Sequence, residues 1–134
     1  MFQRGNLLMR NESTMQFICS SVESHAQSYT HLSDAIWDHP ETNFHEDYSA
    51  GAIRQTLLEH GFSVTDKLGG MPNAFRAEYG SGKPVIGILG EFDALSGLSQ
   101  EAGCQERKSA GGEAGHGCGH NLFAAGSLGA AIAV

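Results

Sequence analysis

The reactive side chains of this chain concentrate in one short run, Gly115-His116-Gly117-Cys118-Gly119-His120-Asn121. Cys118 and His120 stand two residues apart across a glycine. A thiolate and an imidazole at that spacing can both reach one borderline-soft ion such as zinc. The flanking glycines permit tight turns and leave room around an ion. A second run, Gly90-Glu91-Phe92-Asp93-Ala94-Leu95, follows the apolar stretch Val85 to Leu89. Glu91 and Asp93 alternate, so an extended backbone points both carboxylates to one side. A carboxylate there could hold a ligand histidine by its second ring nitrogen.

Other chemistries remain open at this point. Structural zinc takes four protein ligands and catalytic zinc usually three. The local candidates are Cys118 and His120, with His116, Glu91 and Asp93 as further possibilities. Cys118 could instead be a nucleophile activated by His120, although no group to orient the imidazole is evident from spacing. Gly111-Gly112-Glu113 could cradle a phosphate, but it lacks the Lys-Ser/Thr of a P-loop, and Glu113 would repel the anion. The plain alternative is a flexible loop with incidental His and Cys. Cys19 and Cys104 read as ordinary structural residues. His25, His31, His39, His45 and His60 are scattered and read as surface or packing groups, and Trp37 reads as a core anchor.

These groups need elements to position them. Ile18, Val22, Ala26, Tyr29, Leu32 and Ile36 recur at spacings of three and four, which predicts a helix over about 15–38. Asp38-His39-Pro40 ends it, because the residue before proline avoids the helical region. A second helix is expected over about 49–60, with Ser49 as N-cap and Gly61 as the residue past its end. Phe62 to Thr65 and Ala74 to Tyr79 alternate as strands with one exposed face. Val85 to Leu89, continuously apolar apart from Gly87, predicts a central strand covered on both faces. Residues 96–119 form a glycine-rich loop longer than usual connections, a length that often marks function. A final, small-sided helix begins near His120. It reaches Val134 without a closing signal, which reads as truncation. The expected fold class is α/β, a partial three-layer sandwich with a mixed or parallel sheet. Sites in such sheets gather at the carboxyl ends of strands, where Glu91 and Asp93 fall.

The bulk properties narrow the function classes. The 134 residues suit one modest domain, with 40% apolar residues and a net charge of −7. With no basic cluster, a nucleic-acid role is not expected. Three cysteines are not a disulfide framework, so a reducing, cytoplasmic setting is expected. No stretch reaches the roughly 20 apolar residues of a membrane span, and the N-terminus lacks the apolar run of a signal peptide.

Taken together, the motifs resemble the M20 metallopeptidases, specifically their amidohydrolase branch. The resemblance runs over about residues 29–134. Its matching stretches are Ile36-Trp37-Asp38-His39-Pro40-Glu41-Thr42, Gly61-Phe62-Ser63-Val64, Pro72-Asn73-Ala74-Phe75 and Gly82-Lys83-Pro84-Val85-Ile86. They continue through Gly90 to Leu95, Gly97-Leu98-Ser99-Gln100, Ala102-Gly103-Cys104 and Gly115 to Leu122. The resemblance implies a zinc-peptidase-like catalytic domain and a hydrolase of carbon–nitrogen amide bonds, using zinc or manganese. Cys118 and His120 match metal ligands. Asp93 matches an acid that supports a ligand, and Glu91 falls where other branches carry a ligand histidine, so it is not expected to be one here. The implied substrates are N-acyl amino acids such as p-aminobenzoyl-glutamate, with metal-activated water and a glutamate base.

Family members are much longer. They supply a paired-glutamate segment, further histidine ligands and a smaller lid or dimerisation domain after the stretch matched here. Glu12, Glu23 and Glu59 match no base motif, and Ser96 stands where many relatives carry proline. Residues 1–14, ahead of the first apolar periodicity, are expected to be a flexible lead. Residues 15–134 would be the N-terminal part of the catalytic domain, inactive alone. The alternatives are a subunit completed in trans by a separate C-terminal piece, or a small metal-binding module without catalysis. A homodimer or companion subunit is possible for the full-length form.

Overall fold

The computed structural model describes the backbone of residues 3–134 and side chains from residue 12 onward. The element order is α1 (Gln3–Ser24), α2 (Ala26–Asp38), α3 (Asp47–Glu59), β1 (Ser63–Asp66), β2 (Phe75–Glu78), β3 (Leu95–Ser96), β4 (Ala114–Gly115) and α4 (His120–Ala133). A short 3-10 turn, Leu68–Gly70, lies between β1 and β2. The mixed helix and strand content agrees with the expected α/β class. The ladders are short and antiparallel: β1 pairs with β2, and β3 with β4. A single parallel bridge joins Thr42 to Ala94.

The helix expected over 15–38 is two helices. The chain turns at His25, and α1 begins at Gln3 rather than near Met15. The apolar periodicity crosses this break, but burial does not follow it. Tyr29, Leu32 and Ile36 of α2 are buried, whereas Val22 and Ala26 are exposed. Trp37 is half-buried, and its neighbour Ile36, at 0% exposure, anchors the core. Tyr29, Leu32 and Ile36 pack with Ile53 and Leu57 of α3 and Ala124 and Leu128 of α4.

Helix α3 has a different N-terminus from the one expected. It starts at Asp47, so Ser49 lies inside the first turn and is fully buried. The free N–H groups of that turn are met from outside: the Glu41 carboxylate accepts from Tyr48 N (2.8 Å), Ser49 N (2.9 Å) and Ser49 Oγ (2.9 Å). An anion at this end also suits the helix dipole. The C-terminus is as read from Gly61. Gly61 N donates to Leu58 O and Phe62 N to Leu57 O, with Gly61 at φ +82°. This is a Schellman closure, and it turns the chain into β1.

In β2 the alternation holds, with Phe75 and Ala77 half-buried and Arg76 and Glu78 exposed. Val85 to Leu89 departs from expectation. The segment joins no ladder among the described residues, and Val85 (84%), Ile86 (66%) and Leu89 (72%) are exposed. A continuous apolar run specifies burial between covering layers, and the described residues do not supply those layers. The following residues are anchored nevertheless. Ser127 Oγ donates to Leu89 O (2.7 Å), and Gly90 lies against Ser127 and Ala124 of α4. Ala94 N donates to Glu41 O (2.7 Å), so the acidic run is tied to the residue that caps α3.

The long loop is pinned at both ends. β3 and β4 zip Leu95 to Gly115 and Ser96 to Ala114, and Gly97 N donates to Glu113 O (2.7 Å). Within it, Gln100 donates to Glu106 O and accepts from Lys108 N, and Lys108 pairs with Glu101 at 2.7 Å. Gly115 is required by close approach: a Cβ there would collide with the Leu98 carbonyl oxygen and stand 2.6 Å from Ser99 Cα. Gly126 of α4 faces open space. We therefore expect Gly115→Ala to lose about 1–3 kcal/mol through overpacking against rigid backbone. Gly126→Ala should gain about 0.5–1 kcal/mol from the better helix former. Urea unfolding midpoints of the two variants check the opposite signs.

Candidate metal centre

Three elements meet at His120. It is the first residue of α4, entered through Gly119 at φ +87°, a left-handed conformation that favours glycine. Gly119 N donates to His116 O (2.7 Å), and Leu122 N and Phe123 N donate back to Gly119 O (3.0 Å each). This compact turn sets the direction of the His120 side chain. The helix behind it is held by Asn121, whose buried side-chain amide donates to Ser33 Oγ (2.9 Å) and Ser33 O (3.3 Å) on α2. The acidic run arrives from the other side, fixed by the Thr42–Ala94 bridge.

The result is an imidazole between two carboxylates. His120 Nδ1 lies 2.9 Å from Asp93 Oδ1 and 3.0 Å from Asp93 O. With that nitrogen donating, Nε2 carries the free lone pair. Nε2 points toward Glu91, whose Oε2 is 3.5 Å away. Glu91, Asp93 and His120 each bring a ligand atom within 4.8 Å of the others. The side chains of His120 and Asp93 are 19% and 26% exposed, and that of Glu91 is 52% exposed. A divalent ion fits this donor set. It has an oriented imidazole with an open nitrogen, an anionic oxygen beside it, and access from solvent.

The structure thus brings together two of the three site residues expected from sequence, Asp93 and His120. It adds Glu91, which motif position alone excluded as a ligand. Cys118 lies two residues before His120 and is an exposed free thiol outside this group of three. Asp93 is also the orienting group that the spacing of Cys118 and His120 could not reveal, because it lies 27 residues earlier in the chain.

His116, one of the further ligand candidates from the sequence, is deeply buried. It is 2% exposed, and its ring nitrogens make no hydrogen bond of good geometry, although the Ile36 carbonyl lies near enough to act on its charge. Burial holds its pKa below the usual histidine value, and the neighbouring His120 adds to this, against the opposing pull of Asp93, the Ile36 carbonyl and Glu41. A cavity of about 510 Å³ adjoins the site. Its lining includes Ile53, Leu57, Phe62, Phe75 and Phe92, together with Glu91 and Asp93.

No family model matches the chain. Its sequence is 53% identical over 120 residues to one of the subunits of the p-aminobenzoyl-glutamate hydrolase of Escherichia coli strain K12. The aligned part is 89% of this chain and 25% of that relative, so the chain spans about a quarter of the relative's length. Its fold resembles a crystal structure from methicillin-resistant Staphylococcus aureus, described as that of an aminohydrolase. The TM-score is 0.68 at 25% identity, covering 88% of this chain and 30% of that one. Both of those proteins are described as hydrolases, in keeping with the resemblance carried by the motifs.

The His116 environment gives a pH dependence. Its folded-state pKa is depressed, so the unfolded chain binds a proton that the folded chain resists. The stabilisation is complete above the unfolded value of about 6.5 and is lost as pH falls toward the folded value. In chelator-treated protein, urea-derived stability should therefore decline on acidification below about pH 6.5. His116→Gln should flatten that decline, and an unchanged slope in the variant would refute the assignment.

Proposed function

We propose that this chain carries part of the metal centre of an amidohydrolase acting on N-acyl amino acids, with p-aminobenzoyl-glutamate as the reference substrate. The observation that carries the reading is His120, held through Nδ1 by Asp93 with Nε2 left open. That arrangement suits a metal ligand better than a general base working on Cys118. The relative's name supplies the substrate class, and the motif resemblance supplies the M20 family and the choice of zinc or manganese.

In this reading Cys118 and His120 hold the ion, and Asp93 is a positioning residue. Asp93 fixes the ring plane and the tautomer of His120, and its negative charge strengthens the donor power of Nε2. A bound divalent ion would supply Lewis acidity toward the amide carbonyl and lower the pKa of water. The aromatic and aliphatic lining of the adjoining cavity suits the apolar portion of an aryl-acyl substrate. Glu41 is committed to the start of α3 through three hydrogen bonds, so it is poorly placed to act as a base. We propose that the base and the remaining ligands come from outside these 134 residues, on the same polypeptide or a companion one. The cytoplasm is the proposed compartment. No helix among the described residues is long and apolar enough to cross a membrane.

The test is a chimera in which residues 15–134 replace the matching part of the Escherichia coli relative. We expect manganese- or zinc-dependent hydrolysis of p-aminobenzoyl-glutamate by the chimera, and a loss of at least about 100-fold in kcat/KM for His120→Ala, the order expected when an electrostatic catalytic group is removed. The 134-residue chain alone should show no turnover. A folded chimera indifferent to His120→Ala would sink the reading.

A further inference from the structure

Phe44 holds a backbone conformation that suits its side chain badly. Its φ is +71°, in the left-handed region where a bulky residue is an outlier and glycine or asparagine is the usual occupant. Asn43 stands next to it, yet the left-handed position falls on the phenylalanine. Hydrogen bonds on both sides enforce it. Phe44 N donates to Glu46 Oε1 (2.9 Å), and the other oxygen of that buried carboxylate accepts from Asn73 Nδ2 (3.4 Å). His45 N donates to Thr42 O (3.0 Å), which closes the turn.

The ring gains nothing from the core in return. Phe44 is 55% exposed, lies outside the core cluster, and meets no other aromatic ring among the described residues. Its place is beside the candidate metal centre. Thr42, two residues earlier, bridges to Ala94, the neighbour of Asp93. Phe44 lines the same cavity as Glu91 and Asp93, and Phe92 between them lines it too. A strained residue that its surroundings hold in place, with an exposed ring lining a cavity, marks a side chain kept for contact with a ligand.

We infer that Phe44 is a specificity-determining residue: its ring packs against the aromatic acyl group of the substrate and favours N-aroyl over N-alkanoyl amino acids. The inference rests on the amidohydrolase reading above and deepens it. An aryl ring that meets Phe44 gains an aromatic pair in addition to the apolar surface it buries. An acetyl group has no ring to pair and less surface to bury. Glu46 holds the turn that presents the phenyl ring.

Equilibrium binding to the folded, chelator-treated chimera tests this without turnover. Calorimetry compares p-aminobenzoyl-glutamate with N-acetyl-glutamate on the unsubstituted form and on Phe44→Gly, Phe44→Ala and Phe44→Tyr. We expect the unsubstituted form to prefer the aroyl ligand. Phe44→Gly and Phe44→Ala should each weaken that ligand about tenfold while changing the acetyl ligand less than about twofold. Phe44→Tyr should keep the preference. In the 134-residue chain, Phe44→Gly should raise the urea midpoint, because glycine carries no left-handed penalty, and Phe44→Ala should not. A midpoint that falls in Phe44→Gly would show that the ring serves the fold, and would overturn the inference. Equal weakening of both ligands, or of neither, would overturn it as well. So would an unsubstituted form that binds neither ligand or both alike. A chimera whose kcat/KM ignores His120→Ala would instead count against the metal-centre reading, and the two binding ratios would still decide the role of Phe44.

Discussion

The position of His120 depends on how closely α4 can lie against α2. The α4 sequence is rich in alanine and glycine, and Gly129 shows why. A Cβ at that position would stand 3.0 Å from the Tyr29 ring. The small face lets Ala124 and Leu128 reach Tyr29, Leu32 and Ile36, and it brings Asn121 within hydrogen-bonding distance of Ser33. Asn121 immediately follows His120, so its buried bond to α2 fixes the register of the whole first turn. Packing and the site are therefore one constraint, set by contacts of α2 with the two ends of a single helix.

Glu41 performs the same task on the opposite wall. Its side chain satisfies the start of α3, and its carbonyl accepts from Ala94. One residue thus couples the helix that closes the core to the segment that carries Glu91 and Asp93. The two walls meet at the Asp93–His120 contact. That contact needs both placed to within a few tenths of an ångström, because a carboxylate orients an imidazole only at hydrogen-bond length.

Much of this was legible in the sequence, and the reasons are local. The stop at His39-Pro40, the closure at Gly61 and the start at His120 are each written in a few adjacent residues. The alternation of β2 is too. What escaped depended on distant parts of the chain. Ser49 looks like an N-cap because the Glu41 carboxylate that serves that turn sits eight residues back. His116 read only as a further ligand candidate, because its burial comes from elements far from it in sequence. The run Val85 to Leu89 has the composition of a central strand, and that composition states what the segment can pair with. It does not state which strands are at hand, so its exposure among the described residues could not be read from it.

Glu91 has a place in space that its place in the motif does not convey. By motif position, Glu91 stands where other branches place a ligand histidine, and a carboxylate there looks like the loss of a ligand. In space it is an anionic oxygen beside the one free nitrogen of a pre-oriented imidazole. A glutamate and a histidine differ in length and charge, yet either can present a lone pair to an ion from the same backbone position. The exchange replaces a neutral donor with an anionic one. An anionic group there would favour a hard divalent cation nearby. The Glu91 carboxylate stands 3.5 Å from His120 Nε2, so its charge acts on that imidazole whatever the motif position implies.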